Sequence, residues 1–222
     1  MTKATTAIQA AAILMYISDP QDHGLAFDPF KAIITPRPIG WISTLNEEGV
    51  PNLAPYSFFN ALSSSPHMLM FSSEGLKHSA ANARSTGEFV FSLATTALQN
   101  QMNISSDTLP AGTNEYKAAG LEMGKCEKVA PPRVLASPAS MECKLVSSEE
   151  LLDIHGKPAD TFVTIGQAVA VHINEDYIKE GRFDTAAAQP LSRCGYRDYA
   201  SVESVFELMR PTDGATYDGV DR

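Results

Sequence analysis

The sequence predicts a mainly β protein, a barrel of short strands with added helices. Short apolar stretches at residues 39–45, 50–59 and 67–71 follow one another and are separated by turn residues. Only one or two helical stretches interrupt them, which differs from the regular strand–helix alternation of a doubly wound sheet. Neither GxGxxG nor GxxxxGK[ST] occurs, so neither a dinucleotide-binding fold nor a P-loop is indicated.

The first half of the chain carries the clearest element signals. Pro36 and Pro38 confine the join between two short strands to an edge or bend. A hairpin turn is predicted at 46–49, where Gly49 can adopt positive φ. Gly87 is placed to end a helix. The predicted strands are 33–34, 39–45, 50–59 and 67–71, and the predicted helix is 75–86.

The second half alternates longer strands with short helices. Residues 88–94 (EFVFSLA) alternate with a period of two, as a half-buried strand does. Further strands are predicted at 140–146 and 162–173, with helices at 96–104 and 115–119 and a helical turn at 176–180.

The length of 222 residues suits one domain with extensions. We expect a functional domain over residues 26–211, preceded by an extension (1–25) and followed by a tail (212–222). The apolar stretch 7–17 (AIQAAAILMYI) is rich in helix-favouring residues but too short to span a bilayer. No small-x-small cleavage site follows it, so we expect a partner-packing or amphipathic helix rather than a signal peptide.

Charge and cysteine content narrow the function classes. The formal net charge is −9, so general binding to nucleic acid or to an anionic membrane is not expected. A small anionic ligand would need local cations, and Lys77, His78 and Arg84 lie close together in sequence. The three cysteines are far apart without a CxxC pair, which favours idle thiols in a reducing cytosol; a redox-active Cys194 is the alternative. No HxxxH, HExxH or carboxylate cluster indicates a metal.

Small polar residues gather at predicted strand ends between residues 35 and 79. They are followed by Lys77-His78-Ser79 at the start of the predicted helix. Hydroxyls, an amide and a cation close together suit a ligand that is partly flat and partly phosphate. The candidate binding residues are Arg37, Ser43, Thr44, Ser57, Phe58, Phe59, Asn60, Ser72, Ser73, Lys77, His78 and Ser79.

The motifs TPRPIGWIST, NEEGVPNLAPYSFFN, MFSS and KHSAANARSTGEFVFSLA stand in this order along the chain. Together they resemble the flavin reductase-like group of FMN-binding split barrels. That group includes nitrilotriacetate monooxygenase component B and the flavoredoxins. The later stretches TFVTIGQAVAVHINE and SRCGYRDYASVESVFELMRP are similar to its second half, so the resemblance covers roughly residues 27–211.

The resemblance implies a six-stranded Greek-key split barrel and a homodimer with FMN at or near the subunit interface. It also implies reduction of flavin by NAD(P)H, with reduced flavin used in place or supplied to a monooxygenase. Lys77, Ser79 and the helix start would hold the phosphate, Ser57 and Asn60 the ribityl chain, and the Ser43–Leu45 backbone the pyrimidine.

Each of these assignments has a plainer alternative. Lys77 and His78 could be solvated surface, with Ser79 an ordinary helix cap. Arg37, held between two prolines, suits a phosphate or the pyrimidine edge as well as a surface salt bridge. Phe58, Phe59 and Trp41 could contact the flavin ring, although aromatic residues in a barrel are more often core.

Hydride transfer to a flavin needs no protein acid or base. We therefore expect His172 to be structural and His155 to be an exposed turn residue. The tail contains Cys194-Gly195-Tyr196 and lacks the histidine that some flavin reductases of this fold place near the nicotinamide. Two other functions stay open: an FMN electron-transfer protein that NAD(P)H does not reduce, and a non-redox enzyme or binding protein on the same barrel.

Overall fold

A seven-stranded antiparallel sheet dominates the computed structural model, which describes residues 19–107 and 114–209. The strands are β1 (Arg37–Pro38), β2 (Gly40–Leu45), β3 (Pro51–Tyr56), β4 (Phe59–Ser64), β5 (His67–Glu74), β6 (Glu88–Leu93), β7 (Met123–Gly124), β8 (Arg133–Val134), β9 (Ala139–Leu152), β10 (Pro158–Ile173), β11 (Ile178–Lys179), β12 (Arg182–Phe183), β13 (Leu191–Gly195) and β14 (Asp198–Ser201). The helices are α1 (Phe30–Ile33), α2 (His78–Thr86), α3 (Gln99–Ile104), α4 (Glu115–Ala118) and α5 (Thr185–Ala188). The expectation of a mainly β fold with added helices is confirmed.

The strand order β3-β2-β6-β9-β10-β5-β4 makes the principal sheet curl. Strands β3 and β4 lie at opposite edges, yet only Ser57 and Phe58 separate them in the chain. Because so short a connection must bridge both edges, the sheet bends into a barrel that stays open between them. Helix α2 makes the crossing connection from β5 to β6.

Strand β2 is buried on both faces, which explains why two large apolar residues, Trp41 and Ile42, stand next to each other in it. Successive side chains of a strand point to opposite faces. Trp41 packs with Leu53, Met102 and Tyr116 in one core cluster, whereas Ile42 packs in the barrel cluster. The barrel cluster comprises Ile42, Leu69, Phe71, Ala80, Ala83, Phe89, Phe91 and Cys143. Small alanines on α2 let this helix close against the barrel.

The hairpin turn at 46–49 is confirmed. The N–H of Gly49 donates to the Asn46 carbonyl at 3.0 Å, and the Asn46 side chain accepts from the N–H of Val50 at 2.7 Å. Gly49 has φ +78°, the left-handed conformation that glycine adopts readily. The helix stop at Gly87, with φ +76°, is confirmed as well.

Two predicted strands are wrong. Residues 33–34 were predicted as strand, but Ile33 ends α1 and Ile34 caps it. The Arg37 guanidinium binds the carbonyls of Lys31 and Ile34, six and three residues before it, and this contact overrides the β-propensity of isoleucine. The single predicted strand 50–59 is two strands, because the chain bends at Ser57 and Phe58 to move between sheet edges. Phe59 and Asn60 therefore begin β4, which the sequence prediction missed, rather than end a strand.

Other predicted elements exist with shifted bounds. Helix α2 begins at His78 instead of residue 75, because Gly75 has φ +73° and turns the chain before the helix. Strands β9 and β10 are longer than predicted. The predicted helical turn at 176–180 is a 3-10 turn at Glu175–Tyr177 followed by the β11–β12 pair. The predicted N-terminal helix at 7–17 lies outside the described residues.

Buried thiols make the fold sensitive to alkaline pH. Burial, followed by the negative charge of Glu142, raises the pKa of Cys143 to about 12, from an ordinary value of 9.0. A raised folded pKa leaves stability intact below the unfolded pKa and removes it as pH rises above that value. Between about pH 9 and pH 10.5, we expect the free energy of unfolding of Cys143→Ala to fall by about 2 kcal/mol less than that of wild type. Urea unfolding at both pH values measures this, and Cys194→Ala, a half-exposed thiol, is the control; equal losses in wild type and Cys143→Ala would contradict it.

Candidate functional site

The start of α2 has the features of an anion site. Lys77 precedes the helix, and no side chain caps its first turn. The first N–H groups of a helix lack partners within it and form the positive end of its dipole. Gly75 fixes the approach, since its N–H donates to the Asp160 carbonyl at 2.7 Å. Lys77 and His78 are exposed, so both can reach a ligand at this helix start.

A buried polar cluster holds α2 in place. The Asn52 amide donates to the Ser79 hydroxyl at 2.9 Å and makes a longer 3.5 Å contact with Thr44 Oγ1. The Asn82 amide also donates to Thr44 Oγ1, at 3.1 Å. The hydroxyls of Thr44 and Ser79 thus bond inside the protein, joining α2 to β2 and β3. A ligand at the helix start would meet the backbone N–H of Ser79 rather than its 1% exposed side chain.

Tyr56 extends this cluster to β5. Burial raises the pKa of Tyr56, while hydrogen bonds with Ser79 and then Ser73 act in the opposite direction. The Ser73 hydroxyl donates to the Gly75 carbonyl at 2.8 Å, in the turn before α2. The end of β3, the end of β5 and the first turn of α2 therefore meet at one place.

The bend at Ser57 and Phe58 lies against β5. The N–H of Ser72 donates to the Phe58 carbonyl at 2.8 Å. The Phe59 ring packs inward, stacked on Phe91 with ring centroids 4.7 Å apart, and Asn60 is exposed. Phe58 is half-buried, and its ring makes cation–π contacts with two side chains. Lys31 Nζ lies 5.6 Å and Arg37 Cζ 5.9 Å from the ring centroid.

Arg37 is buried and holds the end of α1. Its guanidinium donates to the carbonyls of Lys31 and Ile34, and within the described ranges it forms no salt bridge. Its Nε is buried and has no hydrogen-bond partner there. A buried donor left without an acceptor is costly, so an acceptor atom of a ligand would be stabilising at this point.

The backbone around Ser43 to Leu45 is partly committed to the sheet. Pairing of β2 with β6 ends at Ser43 opposite Val90, whereas pairing with β3 continues to Leu45. The backbone of Thr44 and Leu45 on the β6 side is thus outside that ladder. The side chains of Ser43 and Thr44 are fully buried. Trp41 lies in the core and donates to Ser105 Oγ at 2.9 Å, so its ring faces no ligand.

The remaining cation of the predicted basic group, Arg84, lies in the last turn of α2. Its guanidinium carbon is 5.8 Å from the centroid of the Phe162 ring on β10. Lys77 and His78 stand at the other end of the same helix. The positive charge closest to the helix start is therefore that of Lys77 itself.

The tail hairpin β13–β14 packs on α1. Gly195 has φ +137°, and a Cβ there would lie 2.7 Å from the Ala32 Cα. The next residue, Tyr196, has φ +45°, and its ring meets the Phe27 ring edge-on with centroids 5.9 Å apart. Because α1 also provides Lys31 and the carbonyls bound by Arg37, the tail hairpin lies near the Phe58 bend.

Sequence reasoning missed Asn52, Tyr56 and Asn82. Their partners lie on other elements, and Asn52 and Ser79 are 27 residues apart in the chain. No local pattern marks such contacts. His155 is an exposed turn residue, as expected, and His172 contacts Glu142 on the neighbouring strand β9.

Comparison with known proteins places this arrangement among flavin proteins. Residues 33–190 match the flavin reductase like domain family. A protein of unknown function from Halalkalibacterium halodurans is 34% identical over 187 residues, which cover 81% of this chain and 88% of that protein.

Two solved structures share the fold and are at least 25% identical to this chain in sequence. Nitrilotriacetate monooxygenase component B from Bacillus cereus is 28% identical, with a TM-score of 0.81, and the match covers 89% of this chain and 100% of that one. The 2-nitrobenzoate 2-nitroreductase NbaA of Pseudomonas fluorescens is 25% identical, with a TM-score of 0.73, and the match covers 83% and 89%. The split-barrel expectation is confirmed; the principal sheet has seven strands rather than six, because the bend at Ser57 and Phe58 divides one of them.

Proposed function

The chain belongs to the flavin reductase-like family, and from this we propose that it binds FMN and transfers a hydride from NAD(P)H to flavin. The observation that supports the proposal best is the uncapped start of α2 beside Lys77, joined through Tyr56 and Ser73 to the Phe58 bend. A phosphate and a flat ring system would find complementary groups at these two neighbouring places.

The donors present fit FMN. Its phosphate, which carries a charge near −2, is matched by Lys77, His78 and the first N–H groups of α2. The unpartnered Nε of Arg37 supplies a further buried donor for a phosphate oxygen or a pyrimidine carbonyl. These are positive or neutral donors within a chain of formal net charge −9, so they provide the local attraction that an anion needs.

The remaining predicted residues suit the ribityl chain and ring. We assign the ribityl hydroxyls to Ser57, Asn60 and Ser72, which lie around the bend and on β5. Ser73 is also a candidate from the sequence, but it is 1% exposed and instead supports the turn before α2 through its bond to the Gly75 carbonyl. Phe58 offers the partly exposed aromatic surface, whereas Phe59, Ser43 and Thr44 shape the site from inside. When bound, FMN supplies the hydride-accepting chemistry, and the protein positions it and leaves one ring face open.

We further propose a homodimer. Val169, Val171 and Ile173 alternate along β10 and are 36%, 55% and 41% exposed, an apolar stripe that a second copy would cover.

Residues 26–211 would form the flavin-binding domain. The three free cysteines are consistent with a cytoplasmic protein, and no described helix has the length and apolar character needed to cross a bilayer.

A partner monooxygenase is part of the proposal, since the Bacillus cereus relative is named as component B of such an enzyme. Purified protein loaded with FMN and mixed anaerobically with NADH or NADPH tests the reductase function. We expect rapid bleaching of flavin absorbance and turnover of added flavin. Tight FMN binding without bleaching would instead favour an electron-transfer flavoprotein, and absence of both would favour a non-redox function.

A further inference from the structure

Three potential metal ligands that are far apart in the sequence meet on the outer face of the barrel. The ligand atoms of Cys126, Glu142 and His172 all lie within 4.8 Å of one another. Glu142 is on β9, next to Cys143, which points into the barrel core; strand alternation therefore directs Glu142 to the opposite face. His172 is on the paired strand β10. None of the three residues is among those assigned to the proposed flavin site.

Glu142 is fully buried and organised by the loop that carries Cys126. Its Oε2 accepts the N–H groups of Lys128 and Val129 at 2.6 Å and 3.0 Å, and its Oε1 accepts the N–H of Glu127 at 2.9 Å. Burial would raise the pKa of Glu142, but the bonds from Glu127, His172, Lys128 and Val129 outweigh it and hold the pKa below its ordinary value. The second acceptor position of Oε1 faces His172 Nε2, at 2.6 Å.

We propose that Cys126, Glu142 and His172 bind one Zn²⁺ ion, which fastens the 124–130 loop to β9 and β10. Thiolate, imidazole and carboxylate are the ligands that zinc takes in proteins. Zinc bonds of about 2.0–2.2 Å to nitrogen and oxygen in tetrahedral geometry place those two atoms about 3.3 Å apart. His172 must therefore retreat by about 0.7 Å from its present hydrogen bond, and the ion takes the place of that bond.

The surroundings allow this movement and provide a fourth ligand. His172 lines a cavity of about 450 Å³, together with Arg133, Ser137 and Asn174. Its side chain is 24% exposed, so the ring can shift toward the cavity, and water there can complete the zinc shell. Binding releases the Cys126 thiol proton to solvent; thiolate and carboxylate then neutralise the two charges of zinc, so nearby Arg133 meets no net repulsion.

The Cys126 thiol must lose its proton when it binds Zn²⁺. Burial and then the charge of Glu142 raise the pKa of Cys126 to about 11, so without a metal the thiol stays protonated. A bound Zn²⁺ reverses this preference, because it stabilises the thiolate directly.

Metal-stripped protein titrated with Zn²⁺ against a chromophoric chelator tests the proposal, with Co²⁺ as a spectroscopic substitute. We expect one Zn²⁺ per chain, and a thiolate-to-cobalt charge-transfer band, with and without FMN. Cys126→Ser should abolish the band, and both Cys126→Ser and His172→Gln should weaken zinc affinity at least tenfold. The matched controls are Cys194→Ser, which removes a half-exposed thiol, and His155→Gln, which removes an exposed imidazole. Both should bind zinc as wild type does.

Circular dichroism of each variant separates lost zinc binding from lost folding. Glu142 is not substituted, because its buried carboxylate also holds the loop through three backbone N–H groups. Substoichiometric zinc in wild type, or an unchanged band in Cys126→Ser, would overturn the proposal. Loss of the band in Cys194→Ser would assign the metal to an adventitious surface thiol and overturn it too. The Glu142–His172 contact would then be a structural hydrogen bond alone.

Discussion

Lys77→Gln should weaken FMN binding by about 10- to 100-fold and leave riboflavin binding unchanged. Loss of a charge-assisted hydrogen bond to a phosphate corresponds to about 1.5–3 kcal/mol, and each 1.4 kcal/mol is about tenfold in affinity. Riboflavin has no phosphate, so it cannot sense Lys77 if the helix start holds that group. Fluorescence titration of both flavins measures the difference.

Lys179→Gln is the matched control for this substitution. Lys179 is exposed, so its substitution removes the same charge from the surface. Asp160, near the first end of β10, contacts the turn before α2, whereas Lys179 follows the other end of that strand. We expect it to bind both flavins as wild type does. Equal weakening of FMN and riboflavin by Lys77→Gln would place the phosphate elsewhere and make Lys77 a general stabilising residue.

Gly166→Ala should lower the free energy of unfolding by about 1–3 kcal/mol, the usual range for overpacking a core. A Cβ at Gly166 would lie 2.4 Å from two ring carbons of Phe89 and 3.1 Å from the Cys143 Cβ. Phe89 cannot move aside, because it is fully buried and packs edge-on against Phe71 with centroids 5.4 Å apart. Urea unfolding monitored by circular dichroism gives the value.

A double-mutant cycle identifies the cause. Phe89→Leu alone should destabilise the barrel by about 1–2 kcal/mol through lost packing. In the double variant the smaller side chain makes room for the added methyl, so the combined loss should be clearly less than the sum. Strict additivity would mean that the contact with Phe89 is not the cause of the loss.

Local patterns were sufficient where local physics decides the structure. The hairpin turn at Asn46 to Gly49 and the end of α2 at Gly87 depend on glycines with positive φ, which the sequence displays directly. Strands β2 and β6 have the apolar sequences that burial requires. The cation at the helix start was found because the run Lys77-His78-Ser79 stands at the start of the predicted helix.

Long-range contacts decided the rest. The break between β3 and β4 exists because the barrel brings both sheet edges to Ser57 and Phe58, and no local residue signals it. Helix α1 is a local exception: it replaces a predicted strand because the Arg37 side chain binds the carbonyls of Lys31 and Ile34, six and three residues before it. Asn52, and likewise Glu142 with its three backbone donors, are recognisable only once the strands and loops that supply their partners are in place.

Calorimetric titration of FMN into the purified protein tests the central claim most directly. The proposed site predicts saturable binding of one FMN per chain, weaker binding of riboflavin, and a loss of FMN affinity with rising salt, since the phosphate contacts are electrostatic. Absence of heat and of any change in the FMN absorption spectrum at saturating concentration would contradict the account, and this barrel would then serve a function other than flavin binding.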